Sequence, residues 1–294
     1  MELELRESSK SFGEKKVLRE ASFTAKGGQA FGLLGRNGAG KTTTIRILMD
    51  VFAPDGGAVL IDGAPIDYSK MKLGYLPEER GMYPKKKIID QLVYFAQLKG
   101  MQRRAAIQSI DYWLDRLNMA EHRDKRLDTL SKGNQQKIQL ITALAHDPEI
   151  VILDEPFSGL DPVNAMLLKE VVKEEIAKGK IVLFSSHQMH YIEEFCDSIA
   201  ILKDGKVALH GELGEIKHSY PRNKLVVRSA ATDEILALPG LEGRKTGEGE
   251  LLLSLSSAEA KGETMKMLAE RFDIDEMRVF EPSLGDIFVE YAGD

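Results

Sequence analysis

The sequence has few of the features that mark a secreted or membrane-spanning chain. It contains one cysteine among 294 residues, so an intramolecular disulfide cannot form and a reducing compartment such as the cytosol is expected. None of its apolar runs approaches the roughly 18 residues that cross a bilayer. The first residues are acidic and alternate between polar and apolar, which is unlike a signal peptide. We therefore expect any membrane role to depend on a partner protein.

The chain also lacks an excess of positive charge. The chain carries 46 acidic and 40 basic residues, for a formal net charge of −6. This balance argues against a protein that mainly coats nucleic acid, and we expect no nucleic-acid partner. It does not exclude nucleotides, which need only a local nest of positive potential. The length predicts one large domain with a smaller one, or two domains of moderate size.

The most informative stretch runs from Gly35 to Thr42 and matches the phosphate-binding pattern G-x-x-x-x-G-K-[ST]. An apolar run over 30–34 predicts a strand before it, and 42–49 predicts a helix after it. Successive backbone N–H groups of such a loop, with the helix start, form an anion nest. Lys41 is expected to reach the β- and γ-phosphates of a nucleotide, and the Thr42 hydroxyl to bind Mg²⁺. The candidate phosphate ligands are Gly35, Arg36, Asn37, Gly38, Ala39, Gly40, Lys41, Thr42 and Thr43.

Two acidic residues follow the apolar run 150–153, which predicts a buried strand. Asp154 and Glu155 then stand at the carboxyl end of that strand, where ligands gather in open α/β sheets. In a phosphate-loop enzyme the first acid would bind Mg²⁺. Glu155 could orient and deprotonate the attacking water as a general base.

His187 and Phe12 each admit two interpretations. His187 ends the predicted strand 181–184 after two serines. Alone it would be a structural histidine, but beside a γ-phosphate site a hydrogen bond to that phosphate is the better hypothesis. Phe12 precedes a turn between two predicted antiparallel strands over residues 2–25. Its periodicity favours a place in the core, and the alternative is an exposed ring on which a base stacks.

The remaining pattern predicts an α/β architecture. Continuous apolar strands alternating with helices indicate a mostly parallel sheet covered on both faces. A helical block at about 88–145 interrupts the alternation, with Trp113 as its packing anchor and Ser131 capping its last helix. Beyond a boundary near 219–221, the order β-α-β-β-α-β predicts a small ferredoxin-like α+β domain. That domain shows no catalytic constellation, so we expect it to serve dimer contact, regulation or partner binding.

Residues 1 to about 215 resemble the ATP-binding subunit of an ABC transporter, because several motifs of that family occur in the family's order. They are the phosphate loop, a signature motif at 130–134 (here Leu-Ser-Lys-Gly-Asn), the Asp154 and Glu155 pair, a D-loop at 158–161 and a switch histidine, His187.

The resemblance implies a P-loop NTPase core of the ABC ATPase type over 1–215, with an antiparallel β subdomain and an inserted helical subdomain, and an accessory domain over 220–294. It assigns metal binding to Thr42, Asp154 and Glu78, and catalysis to Glu155, His187 and Glu78. It also reverses the interpretation of Phe12 as a core residue: the resemblance implies that this ring stacks on adenine. The other nucleotide contacts that it implies are Val17, Ser131, Gly133 and Asp161.

The chain departs from the family pattern in two places. Glu78 stands where the family usually has a glutamine that contacts Mg²⁺ and the attacking water. We hypothesise that this carboxylate makes nucleotide affinity more dependent on Mg²⁺. In the signature motif Lys132 and Asn134 replace glycine and glutamine, while Ser131 and Gly133 are retained.

The family further implies ATP and Mg²⁺ as ligands, a homodimer that sandwiches two ATP molecules, and a separate membrane permease. The chain would then be a cytoplasmic protein bound to the inner face of the membrane, with segment 78–100 facing the permease. The small C-terminal domain is similar to that of bacterial exporter ATPases. The alternatives are a soluble ABC ATPase of translation or DNA repair, and a nucleotide-sensing regulatory module.

Overall fold

The computed structural model describes residues 1–79 and 81–293. Arg80, in the segment expected to face a permease, and Asp294, at the end of the expected accessory domain, lie outside the described residues. The described chain divides into two units. One comprises Met1–Leu213 together with the chain from Phe288 onward, and the other comprises Gly214–Ile287.

The elements up to Glu212 are, in chain order, β1 (Glu2–Phe12), β2 (Lys15–Lys26), β3 (Ala30–Gly35), α1 (Lys41–Leu48), β4 (Gly56–Ile61), β5 (Ala64–Pro65), β6 (Leu73–Leu76), α2 (Ile88–Leu98), α3 (Arg103–Arg116), α4 (Lys132–Leu144), β7 (Ile150–Asp154), α5 (Pro162–Ala177), β8 (Ile181–Ser185), α6 (Met189–Phe195), β9 (Ser198–Lys203) and β10 (Lys206–Glu212). No described helix has the length and apolar character that a bilayer crossing requires.

The first unit is built on a six-stranded sheet in the order β10-β9-β3-β8-β7-β6. Its described pairs are parallel except β9 with β10. Every residue of β3, β7 and β8 is buried, as expected for parallel strands covered on both faces. The prediction of a mostly parallel sheet is therefore confirmed. The register places Asp154 beside Ser185, so the carboxyl ends of β7 and β8 meet at one edge.

A second sheet in the order β2-β1-β4-β5 is antiparallel and shares one apolar core with the first. Phe23 of β2 stacks on Phe31 of β3, with their ring centroids 4.9 Å apart. Phe12, at the end of β1, is 49% exposed and meets Phe52 edge-on at 5.4 Å. The interpretation of Phe12 as a core residue, drawn from periodicity, is therefore wrong, because its side chain is exposed next to the turn between β1 and β2.

The helices α2, α3 and α4 follow one another between β6 and β7 and form the predicted helical block. Trp113 of α3 is buried in this block, which confirms its role as a packing anchor. Cys196 is buried as well, and this burial raises the pKa of its thiol well above the ordinary value. The thiol is therefore a packing group, not a nucleophile.

The remaining elements are α7 (Leu213–His218), β11 (Lys224–Arg228), α8 (Thr232–Leu236), β12 (Glu242–Gly247), β13 (Glu250–Ser254), α9 (Lys261–Arg271), β14 (Glu276–Val279) and α10 (Leu284–Ala292). They belong to the second unit, except that Leu213 and the part of α10 from Phe288 onward are grouped with the first. The sheet of the second unit has the order β12-β13-β11-β14 with antiparallel pairs. In this order the first and third strands are central, which is the arrangement predicted for a ferredoxin-like β-α-β-β-α-β unit.

Candidate active site

The phosphate loop joins β3 to α1, and Gly38 and Gly40 are among the positions where its backbone favours glycine. Gly38 has φ 84° and Gly40 has φ 113°, where L side chains are strained. A Cβ on Gly40 would also lie 2.7 Å from Cδ2 of Leu18. Gly40 is the N-cap of α1, which begins at Lys41, so the first backbone N–H groups of the helix next to the loop have no acceptor within the helix.

Lys41 is held inside the loop by the backbone. Its ammonium donates to the carbonyl of Gly35 at 2.6 Å and to that of Arg36 at 3.3 Å. Burial lowers the pKa of Lys41, and the nearby carboxylates of Glu155, Asp154 and Glu78 partly oppose this effect. A positive charge is thus fixed where the N–H nest already favours anions.

Asp154 is 8% exposed at the end of β7. Burial raises the pKa of this carboxyl, as do Glu78 and Glu155, while a hydrogen bond from Ser185 lowers it. The hydroxyl of Tyr75 lies 3.5 Å from Oδ2 of Asp154, and the pKa of Tyr75 is raised to about 12, mainly by burial. The site therefore concentrates negative charge that a cation would relieve.

Glu155 has left-handed backbone, with φ 49°, and its amide donates to the carbonyl of Ser185 at 2.8 Å. Its Oε2 accepts from the Ser186 hydroxyl at 2.9 Å, and its Oε1 accepts from the backbone N–H of His187 at 2.8 Å. Nδ1 of His187 lies 2.7 Å from the same Oε1. The end of β8 thus orients the glutamate with three contacts, one of them from the histidine ring.

A cavity of about 800 Å³ collects most of the predicted ligands. Those that line it are Val17, Gly35, Arg36, Asn37, Gly38, Gly40, Lys41, Thr42, Thr43, Glu78, Asp154, Glu155 and His187. Four residues that sequence reasoning missed also line it: Lys15, Ser185, Met189 and Phe288, the last grouped with this unit. Ser185 and Met189 could have been found by their closeness to His187, whereas nothing in the local pattern points to Lys15 or Phe288.

Five predicted residues are absent from the described lining of the cavity: Phe12, Ala39, Ser131, Gly133 and Asp161. Ala39 stabilises the turn of the loop, because its backbone N–H donates to the carbonyl of Arg36 at 3.1 Å.

The residues Ser131, Gly133 and Asp161, which lie outside the described lining of the cavity, have contacts elsewhere in the fold. The Ser131 hydroxyl accepts from the N–H of Asn134 at 3.3 Å and caps α4, as predicted. Asp161 caps α5 by accepting from the N–H groups of Val163 and Asn164, both at 3.0 Å. These hydrogen bonds, with that of Asn164 the largest contribution, lower the pKa of Asp161. A Cβ on Gly133 would lie 3.3 Å from Nδ2 of Asn164 in α5 and 3.6 Å from Cδ2 of Leu160 in the D-loop, so the signature motif and the D-loop are neighbours.

The donor set in the cavity fits Mg²⁺. Thr42, Asp154 and Glu78 offer a hydroxyl and two carboxylates, the hard oxygen ligands that this ion prefers. Within residues 1–79 and 81–293, no three His, Cys, Asp or Glu residues converge to hold a metal. Mg²⁺ at nucleotide sites commonly binds through one or two carboxylates and completes its octahedron with substrate phosphates and water.

Comparisons with known proteins agree on one family. The family described as ABC transporter matches residues 18–158, and the C-terminal domain of DrrA1-3-like ATP-binding proteins matches residues 211–292. The uncharacterized ABC transporter ATP-binding protein YhaQ of Bacillus subtilis is 44% identical over 97% of this chain and 96% of its own length. Nod factor export ATP-binding protein I of Burkholderia lata is 32% identical over 71% of this chain and 70% of its own.

A solved structure of the ATP-binding subunit of an ABC transporter superposes with a TM-score of 0.68 at 30% identity. It covers 74% of this chain and 92% of its own. The match supports the mixed α/β fold described above.

Proposed function

This chain belongs to the ATP-binding proteins of ABC transporters, and we propose that it hydrolyses ATP between two copies of itself to drive a separate membrane permease. The observation that carries the proposal is that the phosphate loop, Asp154, Glu155 and His187 all line the same cavity. A nucleotide-sensing module would need the loop but not the oriented glutamate.

The chemistry follows from the residues of this cavity. The loop N–H groups and Lys41 would bind the β- and γ-phosphates of ATP. Glu155, oriented by Ser186 and His187, would take a proton from the water that attacks the γ-phosphorus. Thr42, Asp154 and Glu78 would hold Mg²⁺, which neutralises charge on the phosphate oxygens.

A second copy would complete the site. Ser131 and Gly133 lie outside the described lining of the chain's own cavity, although the family uses this pair to contact the γ-phosphate. A twofold dimer would bring the signature motif of each copy to the ATP bound by the other. Hydrolysis then removes the phosphate that bridges the two copies, and opening of the dimer would act on the permease.

The permease side of the proposal rests on the relatives. One of them is named for Nod factor export, and the C-terminal match is to a DrrA1-3-like ATP-binding protein. We propose an exporter whose permease recognises the transported compound and contacts segment 78–100. The chain would then lie on the cytoplasmic face of the membrane.

The proposal is tested with the purified full chain. We expect Mg²⁺-dependent phosphate release from ATP, and a loss of about 10²–10³-fold in Lys41→Ala, since this change removes a preorganised phosphate contact. The control Lys245→Ala removes an exposed cation whose partner is Asp233 in the second unit, and it should keep the wild-type rate. Equal rates in wild type and Lys41→Ala would refute the assignment of the site.

Transport is tested by expressing the chain with and without its candidate permease. Membrane association and faster hydrolysis that both require the permease would support coupling. Membrane association without any permease, or hydrolysis unaffected by it, would contradict the transport part of the proposal.

A further inference from the structure

The signature helix α4 carries a glutamine that reaches the loop of Glu78. The side-chain amide of Gln139 donates to the carbonyl of Pro77 at 3.3 Å and to the carbonyl of Glu79 at 3.0 Å. Gln139 is 3% exposed. The two acceptors are therefore the residues immediately before and after Glu78.

The position of these two bonds matters because Glu78 lies beyond the end of regular structure. The sheet holds the chain only as far as Leu76, which pairs with Leu153 of β7. Among the described residues, the next element after β6 is α2, which starts at Ile88. The amide of Gln139 has two hydrogens and uses one for each flanking carbonyl, so it restrains the backbone on both sides of Glu78.

The restrained residue faces the reacting groups. Glu78 lines the cavity together with Asp154, Glu155 and Thr42. A shift of about 1 Å in such a carboxylate is enough to cost a large factor in rate. The restraint comes from α4, the same helix that Ser131 caps.

We propose that Gln139 is a positioning residue for Glu78: it fixes the Glu78 carboxylate relative to Asp154 and Glu155 by holding the two carbonyls that flank it. Gln139 itself does not contact the nucleotide. This inference rests on the proposed function of the cavity, and it adds that the signature helix and the Glu78 loop of one chain act as a single piece.

A purely structural role would look different from a positioning role, and the chain offers a matched control. Gln91 of α2 is also 3% exposed, and its amide donates to the carbonyls of Tyr83 and Lys86, each at 3.4 Å. Gln91 therefore restrains the same segment between β6 and α2 as Gln139 does, but at residues that follow Glu78. Gln139→Met and Gln91→Met both keep the length of the side chain and remove its two N–H donors.

The experiment is a double-mutant cycle in the full chain, with wild type, Gln139→Met, Glu78→Ala and the double variant. We expect Gln139→Met to lower kcat about tenfold, the size of one to two net hydrogen bonds, with less than a twofold change in KM for ATP. In the Glu78→Ala background the same change should have no further effect. Gln91→Met should leave kcat unchanged even where it lowers Tm.

A second readout does not depend on turnover. The Mg²⁺ concentration that half-saturates binding of a fluorescent ATP analogue should rise in Gln139→Met and stay at the wild-type value in Gln91→Met. Equal effects of Gln139→Met in the presence and absence of Glu78, or equal effects of the two Met variants, would overturn the inference. Failure of the wild-type chain to bind or hydrolyse ATP would instead refute the proposed function.

Discussion

The two units differ in what they bury. The buried polar or charged residues described in the first unit are Ser8, Thr44, Gln91, Gln136, Gln139, His146, Asp154, Glu155, Glu175, Lys180, Ser185, Ser186 and Ser198; those described in the second are Ser229 and Thr232. A buried polar group costs free energy unless it is hydrogen-bonded. In the first unit, three of these residues, Asp154, Glu155 and Ser185, line the candidate site.

The second unit is stabilised by apolar packing. Its core consists of Leu225, Val227, Ile235, Leu251, Leu253, Leu255 and Leu268. Its buried Ser229 hydroxyl donates to the carbonyl of Asp273 at 2.7 Å, a contact that only joins two segments of backbone. The candidate site of the first unit therefore differs from the second unit in its buried, oriented polar groups, and three predictions test this difference.

The largest effect is expected for Glu155→Gln, which should lower ATP turnover by roughly 10²–10⁴-fold, the range for loss of a general base. The amide oxygen can still accept from the backbone N–H of His187, and the amide NH₂ can donate to the Ser186 hydroxyl oxygen, so ATP binding should persist and an ATP-bound dimer should accumulate. Phosphate release and size-exclusion chromatography measure the two effects. The control Glu242→Gln removes an exposed carboxylate of β12; an unchanged rate in Glu155→Gln would exclude the glutamate as base.

A loss of stability without a loss of activity is expected for Leu253→Ala in the second unit. Leu253 is fully buried, and truncation should lower the free energy of unfolding by about 2–5 kcal/mol. Urea unfolding measures this change, with the half-buried neighbour Leu252→Ala as control. ATP turnover at low temperature should match wild type. A large loss of turnover in the folded variant would show that the second unit also serves the chemistry.

The smallest effect concerns His146, which lies in the first unit. Burial lowers the pKa of its imidazole below 6.5, as do Lys99, Lys72 and Lys180, while a hydrogen bond to the carbonyl of Leu73 opposes the shift. Its Nδ1 is buried with no partner among the described residues. The unfolded chain therefore binds the proton more readily than the folded one.

The stability that neutral His146 provides is present above pH 6.5 and is lost as the pH falls through the lowered pKa. Thermal unfolding between pH 7.5 and 5.5 should show a larger fall in Tm for wild type than for His146→Gln, whose amide can still donate to Leu73. Parallel pH profiles of the two proteins would contradict this prediction.

Much of the architecture could be predicted because its signals are local. In the second unit the predicted strand 224–228 coincides with β11, and the predicted helix 283–291 differs from α10 by one residue at each end. Alternation of side chains and turn residues within a few positions defines such elements. The phosphate loop is local in the same way, since its glycines and Lys41 lie within six positions.

The partners of the site residues could not be predicted, because folding brings them from distant parts of the chain. Phe12 satisfies the periodicity of a core strand, yet its side chain is exposed at the turn end of the β1–β2 hairpin. Lys15 and Phe288 line the cavity without any local motif. The contact from Gln139 to Glu79 spans 60 positions, and helical periodicity says nothing about what such a side chain meets.

By itself the sequence determined the order of the strands and helices, the glycine-rich cradle and the types of residue available for catalysis, since backbone preference acts over neighbouring positions. Tertiary structure alone decided which donors orient Glu155, which helix holds the loop around Glu78, and which predicted residues turn away from the cavity. Those outcomes depend on how parallel strands that lie far apart in the sequence pair with one another. This pairing forms only when the apolar core packs.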